Sequence, residues 1–311
     1  MNFRSFDAAA VTAATPWSKL LPALEKAFAS KHVAPDRHIH TIAVPGSESG
    51  TALLMPAWVE GEHYGVKLAN IFPANGTFGL PAVSAAYILF DGRTGRLLAL
   101  IDGGMLTARR TAATSALASS KLSRPESSTL LMVGAGRLAK LLIEAHRSVR
   151  PIKRVLVWAR RPEQARSLAA AVGGEAITNL NAGIELADIV SAATLSRAPL
   201  IPGGKLRPGT HLDLVGAFTP EMRETDAEAV GRASVFIDTI GGARVEAGDL
   251  IQAAAEGHFG WEQVVADLAE LATGAHPGRI RDNEITLFKS VGAAIEDLAA
   301  ARLVAQAGEE D

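Results

Sequence analysis

Two rhythms of apolar and polar positions run along the chain. In its first part, short alternating or apolar runs at residues 51–56, 64–70, 82–90 and 97–102 are bounded by Gly and Pro. They predict strands of an antiparallel or mixed sheet, with turns at Asp91-Gly92 and Thr94-Gly95. Upstream, Leu20, Leu21, Leu24, Ala27 and Phe28 recur at helical spacing behind Pro16, which predicts a helix over 17–31. An Ala-rich helix over 107–121 leads away from the strands, and Pro125 ends that passage.

From residue 129 the rhythm changes. Residues 129–133 form a pure apolar strand, followed by a Gly-rich turn and a helix through Ile143. A second strand covers 154–158, and a helix covers 163–172 with Ala165, Leu168 and Ala169 on one face. Further short strands fall at 189–193, 211–215 and 235–238, and one long helix is expected over 285–306. Apolar strands alternating with helices imply a parallel sheet covered on both faces. The fold class is therefore α/β, a Rossmann-type doubly wound parallel sheet beside a mixed α/β domain. The expected division is 1–110 with 286–311 in one domain and 111–285 in the other.

Composition narrows the function. The chain of 311 residues is 48% hydrophobic and 21% charged, as expected of a protein with a sizeable core. A net charge of −2 without like-charge blocks gives no nucleic-acid surface. The lack of cysteine excludes disulfides, thiolate nucleophiles and Cys-ligated metals. No apolar run approaches the roughly 18 residues of a membrane span, and the N-terminus makes a poor signal peptide; a cytoplasmic protein is expected. No metal is expected either: the eight histidines show no paired metal spacing, and His38 and His40 read as a solvated pair. A GxSxG elbow is absent, and Trp58, Trp158 and Trp261 read as packing residues.

The strongest chemical signal is LLMVGAGRLA, which sets Gly134-Ala135-Gly136-Arg137-Leu138-Ala139 between a strand and a helix. Gly134 permits the tight turn, Gly136 lets a pyrophosphate approach the backbone, and Ala139 allows close helix–strand packing. At the end of the next strand, Ala159-Arg160-Arg161 stands where NAD sites usually carry an acid. Two guanidiniums suit a 2′-phosphate, so NADPH is expected over NADH.

Several stretches in order resemble the ornithine cyclodeaminase/mu-crystallin family: GVKLANIFPANGTFGLPAVSAAYILFD, LIDGGMLTARRTAATSALA, the VGAG turn, DLVGAFTPEMRETD and ITLFKSVGAAIEDLAAA. PDRHIH and LLMPAW precede them. The resemblance implies a homodimer whose N-terminal segment and returning C-terminal helix form the substrate and dimerisation domain. It also implies hydride exchange between a nicotinamide and the α-carbon of an imino or amino acid. By position, Arg37, Lys67 and Arg110 match the family's substrate-binding residues, with Lys67 and Arg110 also catalytic. Val83, Ser84, Thr111, Thr194, Val215 and Ser290 match cofactor contacts.

These residue types suit an α-imino acid. Arg37 and Arg110 can hold a carboxylate, and Lys67 can relay a proton to nitrogen. Asp297 is expected to cap or brace a neighbouring element. Two departures from the family stand out. Phe218 occupies the place of the Asp that serves deamination in ornithine cyclodeaminases, and a phenyl ring performs no acid/base chemistry. Leu138 replaces a common Gln. Asp213 and Glu221 lie near Phe218 in sequence but point elsewhere. The leading expectation is NADPH-dependent reduction of Δ1-pyrroline-2-carboxylate and Δ1-piperideine-2-carboxylate to L-proline and L-pipecolate. An alanine or other amino-acid dehydrogenase, an ornithine cyclodeaminase and an NADPH-regulated binding protein are the alternatives.

Overall fold

The computed structural model describes residues 3–308. In chain order it begins with β1 (Arg4–Phe6), α1 (Ala8–Ala14), α2 (Trp17–Ala29), β2 (His38–Ile42), β3 (Gly50–Val59), β4 (His63–Ile71), β5 (Val83–Asp91), β6 (Leu97–Asp102) and α3 (Gly103–Leu122). Next come β7 (Thr129–Val133), α4 (Ala139–Val149), β8 (Arg154–Trp158), α5 (Pro162–Val172), β9 (Glu175–Ala176), α6 (Leu180–Leu186), β10 (Ile189–Ala192) and β11 (His211–Leu214). The last elements are α7 (Ala227–Arg232), β12 (Ser234–Ile237), α8 (Ile240–Glu246), α9 (Gly248–Ala255), β13 (Val264–Asp267), α10 (Leu268–Thr273), β14 (Thr286–Lys289) and α11 (Ala294–Ala307). By its contacts the chain forms two units, Met1–Arg110 with Ala293–Asp311, and Thr111–Gly292.

The first unit is built on a six-stranded sheet in the order β1-β6-β5-β4-β3-β2. β1 runs parallel to β6, and the remaining neighbours are antiparallel. Side chains alternate across such a sheet, so cross-strand partners share a face. Met55, Lys67, Tyr87 and Ile101 form one row on the face covered by α11. All four are buried. Pro56, Val66, Ile88 and Leu100 form a row on the other face and are half-buried. His38 and His40 lie on β2, an exposed edge strand.

The second unit is an eight-stranded sheet, parallel throughout, in the order β13-β12-β14-β11-β10-β7-β8-β9. Leu131, Val133, Val190, Ala192, Leu212, Leu214 and Leu287 are buried in its core. That is why the strands read as continuous apolar runs rather than as alternation. Chain order reverses between β7 and β10, which is the topological switch point where open α/β sheets bind ligands.

The structure corrects the helix expected over 285–306. Residues Thr286–Lys289 are strand β14, inserted between β11 and β12, and α11 begins only at Ala294. A short, wholly buried apolar run has no periodicity to separate strand from helix. Ala293 is extended (φ −117°, ψ 147°), and Glu296 caps the new helix by accepting the Ala293 N–H at 3.0 Å. No helix among the described residues is long and apolar enough to cross a membrane.

Candidate active site

The switch point of the second unit is shaped by Gly134. It follows β7 directly at φ +111°, a conformation that side-chain-bearing residues rarely adopt. A Cβ there would lie 2.8 Å from the Ala193 carbonyl and 3.2 Å from Thr194 Cγ2. The notch is therefore open only because residue 134 is glycine. Beyond it, the Gly136, Arg137 and Leu138 N–H groups meet no acceptor among the described residues, and Leu138 is the N-cap of α4. Free N–H groups at a helix start, reached through a glycine notch, fit the pyrophosphate of a dinucleotide.

The other cofactor candidates of this unit line the same edge. Ala159, Arg160 and Arg161 follow β8, Thr194 follows β10, Val215 follows β11 and Ser290 follows β14. Sheet order thus sets them side by side, with Val215 N–H donating to Ala192 O (2.9 Å) and Ser290 N–H to Leu214 O (3.1 Å). Arg160 and Arg161 are exposed and form no ion pair among the described residues. The Ser290 hydroxyl donates to Asp238 (3.1 Å), whose same oxygen accepts the Val291 and Gly292 N–H groups at 2.7 and 2.6 Å. Thr111 is buried in α3. Phe218 is 41% exposed, on the loop whose Ala217 has φ +49°.

In the first unit, Lys67 of β4 and Arg110 of α3 meet at Asp297, in the first turn of α11. Lys67 Nζ lies 2.7 Å from Asp297 Oδ2, and Arg110 Nε donates to Oδ1 at 3.0 Å. Arg110 Nη1 also donates to Glu296 Oε2 at 2.6 Å. All four side chains are buried, and the Tyr87 hydroxyl beside them has no hydrogen-bond partner. Burial pushes the Lys67 ammonium down to about 8, although Asp297 pulls the other way. Burial also opposes charge on Arg110 and Asp297. The two carboxylates still raise the Arg110 pKa, and Arg110 and Lys67 still lower that of Asp297. The cluster is thus two cations against two carboxylates.

Arg37 is half-buried one residue before β2. His38 pairs with Leu54, and Leu54 with Leu68. Extending that register one step puts Arg37 level with the Met55–Lys67 row, two strands from Lys67. Val83 and Ser84 open β5 on an exposed stretch.

From the sequence, Asp297 is expected only as a brace, and nothing is expected of Glu296. Arg110 is expected to offer its fork to a substrate, whereas the Nε and Nη1 donors are already held by the chain's own acids. Asp238, Glu224, Asp249 and Lys289 are also missed, and all four are buried. The signal for Glu296 was its place three residues after Ala293, the spacing of a capping acid.

Comparison with known proteins agrees with this architecture. The model of the ornithine cyclodeaminase/mu-crystallin family matches residues 6–310. A Delta(1)-pyrroline-2-carboxylate reductase of Paracoccus denitrificans is 40% identical over 287 residues, 90% of each chain. The Thermococcus litoralis Delta(1)-pyrroline-2-carboxylate reductase, solved with NADH and L-proline, superposes with a TM-score of 0.91 at 34% identity, covering 98% of this chain and 97% of that one. An archaeal alanine dehydrogenase dimer with bound NAD also gives 0.91, at 29% identity, covering 100% of this chain and 97% of the other. The proteins it is similar to include nicotinamide-dependent oxidoreductases, among them reductases of carbon–nitrogen double bonds, and the chain belongs to the ornithine cyclodeaminase/mu-crystallin family.

Proposed function

We propose that the protein is a cytoplasmic, NADPH-dependent reductase of cyclic α-imino acids, acting on Δ1-pyrroline-2-carboxylate and Δ1-piperideine-2-carboxylate to give L-proline and L-pipecolate. One observation carries the reading: a buried cluster in which Lys67 and Arg110 balance Asp297 and Glu296. A ligand bearing both a carboxylate and a protonated imine brings no net charge into it, so neither partner is left as an uncompensated buried charge. The remaining Arg110 Nη2 face and Arg37 bind the carboxylate. Lys67, brought down to about 8, holds a proton near neutral pH and gives it to the ring nitrogen, which becomes a neutral amine when C2 of the protonated imine is reduced. Fixing both ends of the C2–N unit orients one face of it, which is a large share of the available rate enhancement.

The edge formed by Gly134, Thr194, Val215 and Ser290 would hold the dinucleotide, with Arg160 and Arg161 at its 2′-phosphate. When bound, the dinucleotide supplies the hydride for C2. The similarity to an alanine dehydrogenase favours one second reading, amination of a keto acid by ammonium. Phe218 argues against ornithine cyclisation, since its ring can neither take nor give a proton. We also infer a homodimer, in line with the dimeric dehydrogenase, formed through the half-buried apolar face of the first unit's sheet.

The test follows absorbance of the reduced nicotinamide while purified protein meets NADPH and each cyclic imine, with NADH and pyruvate plus ammonium as parallel arms. Rapid loss with the cyclic imines and faster loss with NADPH are expected. Turnover only with pyruvate and ammonium would replace this reading by the second. Binding of NADPH without turnover in any arm would replace it by a binding protein.

A further inference from the structure

Beneath the cofactor edge of the second unit lie three buried ionisable side chains that the chemistry above leaves unused: Glu224, Asp249 and Lys289. Glu224 Oε1 accepts both the backbone N–H of Thr194 (2.6 Å) and its hydroxyl (2.8 Å). Lys289 Nζ lies 3.1 Å from Asp249 Oδ2 and donates to the Gly216 carbonyl. Asp249 Oδ1 closes the network by accepting the N–H groups of Glu224 (2.7 Å) and Thr225 (3.0 Å). The segments after β10 and β11 are thereby tied to the same trio. They also touch each other closely: a Cβ on Gly216 would lie 2.2 Å from Thr194 O and 2.5 Å from Glu224 Oε1.

We propose that Glu224 is a positioning residue which, with Lys289 and Asp249, fixes Thr194 and Gly216 and so sets the binding of the nicotinamide half of the dinucleotide. The halves can be told apart by sheet order. The adenosine half belongs to the β8 side of the switch point, where Arg160 and Arg161 stand, which leaves the nicotinamide half to the β10–β11–β14 side. Lys289 and Asp249 already neutralise each other, so Glu224 is the surplus acid. Burial, with Asp249 adding to it, pushes Glu224 up to about 7 against the pull of Lys289. A carboxyl kept in so poor a solvent is retained for what it holds, the Thr194 backbone and hydroxyl. This inference rests on the dinucleotide reading of the edge.

The experiment measures equilibrium binding of NADPH and of 2′-phospho-ADP-ribose, the same molecule without nicotinamide, to the full-length protein and its Glu224→Ala and Glu224→Gln variants. The loss of two hydrogen bonds to a carboxylate predicts roughly tenfold weaker NADPH binding for Glu224→Ala, with unchanged affinity for 2′-phospho-ADP-ribose. Glu224→Gln keeps an acceptor for Thr194 and is expected to restore NADPH binding to within about twofold of the parent. Equal losses for both ligands, or no loss for NADPH, would overturn the inference. Should Glu224→Ala fail to fold, Glu224→Met, which keeps the bulk of the side chain but accepts nothing from Thr194, carries the same comparison. A parent protein that binds neither ligand overturns the dinucleotide reading itself.

Discussion

Lys67 and Lys289 are both buried, and each is matched by a carboxylate instead of by water: Asp297 for the first and Asp249 for the second. At Lys67 the balance has a kinetic consequence. Its ammonium loses its proton as pH rises through about 8, and the protonated form is the one that can supply the ring nitrogen as hydride reaches C2 of the protonated imine. Imine reduction is therefore expected to fall about tenfold per pH unit above that value, with the reverse oxidation rising. A pH profile flat to the alkaline side would contradict the role given to Lys67. Asp297 pulls the Lys67 pKa upward, so Asp297→Asn should move the alkaline limb to lower pH. The same change leaves two buried cations with only Glu296 and is expected to destabilise the fold by about 3–5 kcal/mol. Thermal unfolding and the pH profile of one variant check both expectations. Lys67 and Arg110 were legible by their place in family-like motifs. Glu296 and the trio around Glu224 were not, because the pairings span as many as 186 residues of sequence and only the folded chain brings them together.

At the scale of elements, the glycine turn after β7 was readable because each of its positions answers a local requirement. Gly134→Ala is expected to cost roughly 1–3 kcal/mol in backbone strain, and its Cβ would press on the Ala193 carbonyl. Dinucleotide affinity should fall at least tenfold with it; titration of the variant checks this, and an unchanged affinity would remove the notch from the account. Strands β3, β4, β5 and β6 of the first sheet and β7, β8, β10, β11 and β12 were likewise visible as alternating or wholly apolar runs. β14 was not. TLFK is buried along its whole length, Lys289 included, so it shows no alternation, and it merges in sequence with the Ala-rich helix behind it. The tie that sets it in the sheet, its pairing with β11 and β12, is a long-range property. β13 was missed for a similar reason, since a four-residue strand carries too little pattern.

For the whole molecule, the inferred self-association rests on the sheet face opposite Lys67. Val66 and Ile88 pair at its middle, half-buried between Pro56 and Leu100, while Tyr64 and Phe90 stack at 5.1 Å nearby. Charges placed there should oppose burial against a second copy without touching the Lys67 face. The Val66→Arg/Ile88→Arg double variant is expected to sediment as a folded monomer where the parent sediments as a dimer. Equal sedimentation of the two would place the interface elsewhere. The class of the molecule, a parallel dinucleotide-type sheet and a mixed sheet, followed from the two hydrophobic rhythms, whereas the charge balance of the cluster needed the structure. Transfer of hydride to C2 of a cyclic imino acid can be followed by isotope. NADPH deuterated at both C4 positions would be turned over with Δ1-pyrroline-2-carboxylate and the proline analysed by mass spectrometry and NMR. Direct transfer gives L-proline carrying one deuterium at C2. Unlabelled proline, or no proline while NADPH remains bound, would contradict it.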